Sequence, residues 1–170
     1  AHGNGKPLIE LIHCGLVPPW SNDMKWAPRV IIARAETTTV KPSSRVPIRK
    51  QRCTIPTNGF YEWKKAEKTK QRYFFRSAID ELFAFASVWE QSRGGDGLTI
   101  RTHTILTTEA NRIVRQVHGR MPVILSPDAF DTWLDSSRLP VAATNHLLRP
   151  RSLSPLMAYP VSTLVNGAHN

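Results

Sequence analysis

The stretch RCTIPTNGFYEW, residues 52–63, contains two short runs typical of β-strands, separated by Asn58-Gly59. Asn-Gly is a strong signal for a two-residue hairpin, because both central residues of a type I′ turn need positive φ. The sequence therefore predicts a hairpin whose second strand begins at Phe60. Alternation along that strand places Glu62 on the same face as Phe60, opposite its two aromatic neighbours. A carboxylate there is either solvated or held for chemistry, and this stretch alone leaves both interpretations open.

The chain of 170 residues is long enough for one compact domain with a substantial core. Its hydrophobic content of 41% excludes a disordered chain. No repeat or linker divides it, so we expect a single domain over residues 1–170. No apolar run approaches the ~20 residues of a membrane helix, and the N-terminus has no signal-peptide apolar region. We therefore expect a soluble cytoplasmic monomer, with no membrane partner, that is associated with the nucleoid if the organism is bacterial.

Motifs that bind metals, phosphates or cofactors are missing from the sequence. It contains no Walker phosphate loop and no GxGxxG, HExxH or GxSxG pattern. The six histidines have no metal-ligand spacing, and the two cysteines, Cys14 and Cys53, cannot form a disulfide framework. We therefore predict no metal site and no cofactor, in a protein that works in a reducing compartment.

Positive charge is concentrated in one stretch of the chain. The formal net charge is +10, and residues 41–76, the basic stretch, contain eleven Lys or Arg against two acids, a local balance of +9. Such a stretch favours a polyanion, most commonly nucleic acid, and a solvated basic surface is the alternative. Interleaved aromatic residues suit stacking on unpaired bases. These are Phe60, Tyr61, Trp63, Tyr73, Phe74 and Phe75.

Short runs of β-branched and aromatic residues, separated by turn signals, predict strands along most of the chain. Apolar residues at helical spacing predict a helix over 108–117 capped by Thr108, and Ser126-Pro127-Asp128 predicts a second helix start. The predicted class is α+β: a mainly antiparallel sheet, curled like a barrel, with a few flanking helices. The predicted strands cover residues 7–13, 29–34, 53–55, 60–63, 72–77, 82–89, 98–107, 121–125 and the extended segment 158–166.

Two polar residues could take part in catalysis, although each also has a structural interpretation. His118 ends the predicted helix, where the helix C-terminus favours the protonated imidazole and nearby Arg120 opposes it. Local sequence favours a capping or hydrogen-bonded histidine over a catalytic one. Glu62 has a similar pair of interpretations, and Arg34 could pair with Glu36 on its own strand face.

Six segments occur in an order and at spacings that match one known family. They are GLVPPW (15–20), ARAET (33–37), RCTIPTNGFYEW (52–63), ILTTEAN (105–111), HGRMPVIL (118–125) and AYPVSTLVN (158–166). Any one of these segments is a weak signal, but six in series are specific. Together they resemble the SRAP family, the SOS-response-associated peptidase domain, over nearly all of the residues.

The resemblance implies a domain that binds single-stranded DNA, recognises abasic sites and crosslinks to them covalently. In that family the initiator Met is removed, and the exposed N-terminal Cys forms a thiazolidine with the ring-opened sugar aldehyde. The motif residues that assist this chemistry match Glu62 and His118. Two arginines that contact phosphates match Arg34 and Arg120, and the tryptophan near the DNA matches Trp20.

Two features depart from the family pattern. The Met-Cys-Gly-Arg start is absent, and only thirteen residues precede Cys14. A thiazolidine needs an amine and a thiol on adjacent carbons of one residue, and the amines of Cys14 and Cys53 are tied up as amides. Ile32 stands where the family has an asparagine that hydrogen-bonds the reactive cysteine, and isoleucine can make no such bond.

Three functional interpretations follow. The resemblance favours an enzyme, a self-processing peptidase or hydrolase that crosslinks to abasic sites through an N-terminal cysteine not present in this sequence. The alternative, which Ile32 favours, is a divergent or inactive module that only binds single-stranded DNA. A protease acting on other proteins is the third, and it would require the fold to bring Cys53 near His118.

Overall fold

The computed structural model contains two main β-sheets with short helical segments beside them. It describes residues 2–3, 6–21, 23–65, 70–95, 97–136, 140–150 and 156–162. No helix in these ranges is long and apolar enough to cross a membrane. The strands are β1 (His2–Gly3), β2 (Lys6–Pro7), β3 (His13–Cys14), β4 (Ile32–Arg34), β5 (Arg52–Thr57), β6 (Gly59–Lys65), β7 (Lys70–Ser77), β8 (Phe83–Arg93), β9 (Thr99–Glu109), β10 (Arg120–Pro122), β11 (Ile124–Leu125) and β12 (Leu156–Val161). The α-helices are α1 (Pro47–Lys50), α2 (Phe130–Leu134) and α3 (Val141–Thr144).

Strand pairing divides the strands between a larger and a smaller sheet. The larger sheet has the order β10-β9-β8-β11, with β5 antiparallel to β8, and with β3 and β4 parallel to β9. The smaller sheet is antiparallel and has the order β12-β7-β6. β1 and β2 pair with each other. The predicted α+β class, with a mostly antiparallel sheet and few helices, is therefore confirmed.

The two long strands β8 and β9 separate at one end to admit a third segment. Their pairing ends at Ser87 opposite Ile105. Beyond that pair, the Val123 amide donates to the carbonyl of Leu106, and its carbonyl accepts from the amide of Ala86, each at 2.8 Å. The segment that carries β10 and β11 is therefore fixed to both long strands.

The predicted hairpin at Asn58-Gly59 is wrong. β5 pairs with β8 in the larger sheet, whereas β6 pairs with β7 in the smaller one, and neither turn residue has positive φ. Gly59 is needed for a different reason: a Cβ there would lie 2.4 Å from Cζ of Phe74 and 2.5 Å from the carbonyl oxygen of Phe75. The dipeptide is thus a corner between sheets, where the backbone passes closely under an aromatic ring.

The larger sheet buries a different core on each face, because alternate residues of β8 point to opposite sides. The helix-side core consists of Ala35, Ile48, Ala86, Val88, Leu106, Val123, Leu125, Ala129, Trp133, Leu147 and Leu148. The aromatic core consists of Phe60, Phe75, Phe83, Phe85, Ala110, Val114, Met121, Ile124 and Leu156. Since β6 and β7 supply Phe60 and Phe75, the smaller sheet covers the face of the larger sheet that buries the aromatic core.

The basic stretch is divided between these two faces. Its first part includes α1, whose Ile48 lies in the helix-side core, and its last part forms β6 and β7 over the aromatic core. Arg52, between them, is only 2% exposed. Its Nε donates to the carbonyl of Trp133 at 2.6 Å, and its Nη2 donates to the carbonyl of Asp135 at 2.8 Å. Arg52 therefore cannot reach a nucleic acid, and the basic stretch is not one continuous surface.

The predicted helix over 108–117 is also wrong. β9 continues to Glu109, and only a 3₁₀ turn over Val114–Gln116 follows. Thr108 lies opposite Met121 in the antiparallel ladder with β10, and this pairing holds it in a strand. Asn111, rather than Thr108, caps the turn, because its side-chain oxygen accepts from the amides two and three residues later, each at 3.0 Å.

The N-terminal strands are shorter than predicted. Of the strand expected over 7–13, only the ends pair, as β2 and β3, while Ile9 and Leu11 between them are 98% and 102% exposed. Residues 24–29 form a 3₁₀ segment, so the strand expected over 29–34 is reduced to β4. Apolar patterning alone could not distinguish a paired strand from an exposed extended segment.

Most of the remaining predictions are confirmed. β7, β8 and β9 occupy the predicted positions, and the strand expected over 121–125 is present in two parts, β10 and β11. The helix start at Ser126 leads through a 3₁₀ turn into α2. The extended segment predicted over 158–166 is present in part as β12, and residues 163–166 of that prediction lie outside the described residues.

Candidate active site

The fold brings the Glu62 carboxylate and the His118 imidazole together. Glu62 lies in the middle of β6 on its inner face, and His118 lies between the 3₁₀ turn and β10. The Oε2 atom of Glu62 is 3.4 Å from Nδ1 of His118. The glutamate side chain is 18% exposed and the histidine side chain 48%, so the pair opens to solvent on the histidine side.

Burial raises the pKa of the Glu62 carboxyl above its ordinary value of 4.5. The charge of His118 and a hydrogen bond from the Trp63 backbone act in the opposite direction without cancelling the effect of burial. The aromatic core supplies this apolar surrounding, since Phe60 precedes Glu62 on the same strand face. A carboxyl with a raised pKa can hold and release a proton closer to neutral pH, as a general acid requires.

The backbone of Arg120 fixes the orientation of the imidazole. Nδ1 of His118 lies 3.1 Å from the Arg120 carbonyl oxygen and 3.3 Å from its amide nitrogen. With a proton on Nδ1 the ring donates to the carbonyl or to Glu62, and without one it accepts from the amide. None of these contacts uses Nε2, which leaves the second ring nitrogen for exchange with a reacting group.

The Arg120 side chain is held by two partners. Its Nη1 and Nη2 donate to the two carboxylate oxygens of Glu36 at 3.2 and 2.9 Å, a bidentate pair. Nη2 also donates to the Thr107 carbonyl at 2.7 Å, and Nε donates to the Thr107 hydroxyl at 3.3 Å. The arginine side chain is 25% exposed, so the guanidinium is fixed in plane but accessible.

A second arginine lies beside this network. Arg34 of β4 is exposed and is in register with Thr107, the residue that binds Arg120. Burial acts to raise the pKa of Glu36, but hydrogen bonding and charge from Arg120, together with the charge of Arg34, hold that pKa below its ordinary value. Glu36 is therefore ionised at neutral pH, and the two arginines give the cluster a net positive charge.

Comparison with known proteins identifies the family. The profile described as "SOS response associated peptidase (SRAP)" matches residues 2–168. This chain belongs to the SRAP family. The "Abasic site processing protein YoaM" of Bacillus subtilis is 41% identical over 157 residues, which are 92% of this chain and 69% of that protein. The "Abasic site processing protein HMCES" of Gallus gallus is 33% identical over an alignment of 182 positions, which covers 92% of this chain and 53% of that protein.

Solved structures share the SRAP architecture described above. A crystal structure of a protein from Bacteroides thetaiotaomicron superposes with a TM-score of 0.84 at 28% identity, covering 90% of this chain and 69% of that one. A protein from Bordetella bronchiseptica gives a TM-score of 0.79 at 28% identity, covering 89% of this chain and 76% of that one.

The SRAP residues predicted from the sequence do not all converge. Glu62, His118 and Arg120 lie together, and Arg34 joins them through Thr107. Trp20, 61% exposed, lines a separate shallow pocket with Arg93 and Thr99. Thr99 and Thr107 are eight residues apart on β9, which at about 3.3 Å per residue separates the two places by about 26 Å.

Ile32, the departure from the SRAP pattern, lies close to the candidate site. It is two residues before Arg34 on the same face of β4, and it is 62% exposed. An isoleucine at this position offers neither a donor nor an acceptor to a reacting group.

Cys53 of this SRAP domain is poorly suited to act as the nucleophile of a cysteine protease. Burial raises the pKa of its thiol to about 11, so the thiolate is scarce at neutral pH. Cys53 is in register with Ser87, whose hydroxyl lies 3.1 Å from Nδ1 of His103.

Within the described ranges, no group of three or more His, Cys, Asp or Glu residues could hold a metal ion.

Sequence reasoning missed two residues of the site. It gave Glu36 as a partner of Arg34, whereas the carboxylate binds Arg120. It gave no role to Thr107, which contributes both its carbonyl and its hydroxyl to Arg120. Neither contact leaves a signal in the sequence, because Glu36 and Arg120 are 84 residues apart.

Proposed function

We propose that this SRAP domain processes abasic sites in single-stranded DNA. The observation that carries the proposal is the 3.4 Å contact between Glu62 and His118, next to Arg34 and Arg120. An acid with a raised pKa, a basic imidazole and positive charge suit a phosphate backbone that carries a reactive aldehyde. The curated relatives named as abasic site processing proteins support the same substrate.

The proposed chemistry is condensation of a primary amine with the ring-opened sugar. The amine nitrogen attacks the aldehyde carbon, and His118 carries a proton from that nitrogen to the aldehyde oxygen, which gives the neutral carbinolamine. Glu62 then donates a proton to the carbinolamine hydroxyl, which leaves as water, and the remaining proton on nitrogen returns to Glu62 as the imine forms. Arg34 and Arg120 hold the flanking phosphates during both steps.

A stable crosslink requires one further step. The thiol of an N-terminal cysteine adds to the imine carbon, and its proton passes to the nitrogen, which closes a thiazolidine. This step requires Cys as the first residue, because only an N-terminal cysteine has a free amine and a thiol on adjacent carbons. The same acid and base pair would serve removal of an initiator Met that precedes this Cys.

Ile32 favours a second candidate function, a module that binds single-stranded DNA without forming the crosslink. An asparagine at this position would hydrogen-bond the reactive cysteine, and isoleucine leaves that cysteine without this contact. The phosphate contacts of Arg34 and Arg120 do not depend on residue 32, so binding would persist.

The test uses full-length protein with Cys as its first residue and a single-stranded oligonucleotide with one natural abasic site. We expect an adduct that resists denaturing gel electrophoresis. Glu62→Gln and His118→Ala should each slow adduct formation about 100-fold, whereas Glu81→Gln, at an exposed glutamate, should not. Binding without any adduct would reject the enzyme in favour of the binding module, and absence of both would reject the proposal.

A further inference from the structure

The smaller sheet has a second face, opposite the aromatic core. Phe60 and Phe75 are buried in that core, so the alternate residues of β6 and β7 point away from it. Register extends this outer face across all three strands, since Tyr61, Phe74 and Tyr159 form one cross-strand row. The outer face consists of Gly59, Tyr61, Trp63, Lys65, Lys70, Arg72, Phe74, Arg76, Met157, Tyr159 and Val161.

Three rings pack along the middle of this outer face. The ring centroids of Tyr61 and Phe74 are 4.8 Å apart, and those of Phe74 and Tyr159 are 5.8 Å apart. Tyr61 is 41% exposed and Tyr159 is 38% exposed, so the outer rings of the row remain open to solvent. Gly59 allows Phe74 to lie against the backbone, because a side chain at residue 59 would meet its ring.

The charge of the outer face has one sign. Lys65, Lys70, Arg72 and Arg76 lie on it, and the three strands contain one carboxylate, Glu62, which points to the other face. The nearby Asp80, on the loop after β7, pairs with Arg76 at 3.1 Å. Exposed aromatic rings among cations match unpaired bases joined by phosphates, whereas an apolar protein partner would leave these cations desolvated.

The outer face is also connected to the candidate site. Within the described sheet β6 is an edge strand, with β7 as its neighbour. Glu62 points inward from this edge, and Tyr61 beside it points outward. A single strand held at Glu62 can therefore continue around the free edge of β6 onto the outer face.

We propose that the outer face of the smaller sheet is a stacking platform for the bases that flank the abasic site. This inference rests on the proposed function. One flank of the single strand passes around β6, its bases stack on Tyr61 and Tyr159, and its phosphates lie near the four cations. Stacking is indifferent to base identity, so the platform adds affinity without sequence preference.

The test compares oligonucleotides that carry a tetrahydrofuran abasic analogue, which binds but cannot form an adduct. One has about two nucleotides on each side of the analogue and another has about ten; a third has the long backbone with its flanking bases removed. Wild-type protein should bind the long oligonucleotide with bases about 10-fold more tightly than the one without. The double variant Tyr61→Ala with Tyr159→Ala should lose this preference but bind the short oligonucleotide like wild type.

The double variant Tyr61→Phe with Tyr159→Phe is the matched control, because it keeps the rings and should keep the preference for bases. Equal wild-type affinity for both long oligonucleotides would overturn the stacking platform and leave the proposed function intact. The stacking platform is also rejected if the alanine variant retains the preference, or if it changes the oligomeric mass instead of the affinity. Failure of wild type to bind any of the three would overturn the proposed function as well.

Discussion

Two regions of the larger sheet use arginine in opposite ways. Beside Trp133 on the helix side, Arg52 is 2% exposed and donates to the backbone carbonyls of Trp133 and Asp135. At the candidate site, Arg120 of β10 is 25% exposed and is held by a carboxylate that is itself 48% exposed. Both residues lie in segments that carry the SRAP resemblance, 52–63 and 118–125. Burial and the nature of the partner decide which one stabilises the fold and which one can bind a ligand.

The comparison predicts that removal of Arg52 damages stability and leaves binding intact. Arg52→Ala removes the guanidinium donors of two backbone carbonyls, one buried and one partly buried, and leaves a cavity beside Trp133, so we expect a loss of about 3–5 kcal/mol in the free energy of unfolding. Denaturant titration measures this loss. The DNA affinity of the molecules that stay folded should match wild type. A loss below about 1 kcal/mol would show that Arg52 is not the structural counterpart of Arg120.

The corner between the two sheets should be the next most sensitive position. Gly59→Ala places a methyl group 2.5 Å from the Phe75 carbonyl oxygen, so the backbone must shift, at a cost of about 1–3 kcal/mol. Gly95→Ala is the control, because nothing lies within 4 Å of a Cβ at that position. Thermal unfolding of the two variants should therefore differ, and equal melting temperatures would show that the corner tolerates a side chain.

Arg120 should give the reverse of the Arg52 result. Arg120→Ala is expected to weaken single-stranded DNA binding about 10-fold and to lower the slope of log affinity against log salt by about 1. Arg49→Ala removes an exposed charge from α1, on the helix side, and should change neither quantity. Fluorescence anisotropy across a salt series measures both. An equal loss in the two variants would mean that binding follows net charge rather than the position of Arg120 in the candidate site.

The smallest expected effect concerns Glu62 and pH. Its pKa is raised in the folded state, so the folded protein binds this proton more tightly than the unfolded chain. Stability therefore falls as pH rises from the ordinary value of 4.5 through the raised pKa. The Glu62→Gln variant has no titratable group at this position. Its melting temperature should therefore rise relative to that of wild type as the pH increases over this window.

The exposed Glu81→Gln variant provides the baseline for that measurement. Melting curves for Glu62→Gln and wild type that run parallel from about pH 4 to about pH 7 would show that the carboxyl is not held in an apolar environment. They would also remove the physical basis for Glu62 as a general acid.

Local sequence predicted strands well where pairing partners were long and apolar. β8 and β9 fall where alternation placed them, whereas Asn58-Gly59 gave the wrong turn, because sheet pairing and the Phe74 ring decide that geometry. The 108–117 segment has helical spacing, yet its first two residues pair with β10. In both cases a tertiary contact overrides the local preference.

The candidate site shows the same division between what the sequence predicts and what tertiary contacts decide. Motif resemblance named Glu62, His118, Arg34 and Arg120, and the fold brings these four to one region. It could not show that Glu36 and Thr107 hold Arg120, since those contacts span 84 and 13 residues. Nor could it show that Arg52, from the basic stretch, lies in the interior.

The hydrogen bonds of Val123 anchor the segment that carries Arg120. Its amide binds one long strand and its carbonyl binds the other, so we expect exchange of this amide with deuterium to require those strands to part. Arg120 is three residues away on this anchored segment. Its guanidinium therefore meets an incoming phosphate already ordered, because the entropy of fixing that segment was lost when the chain folded.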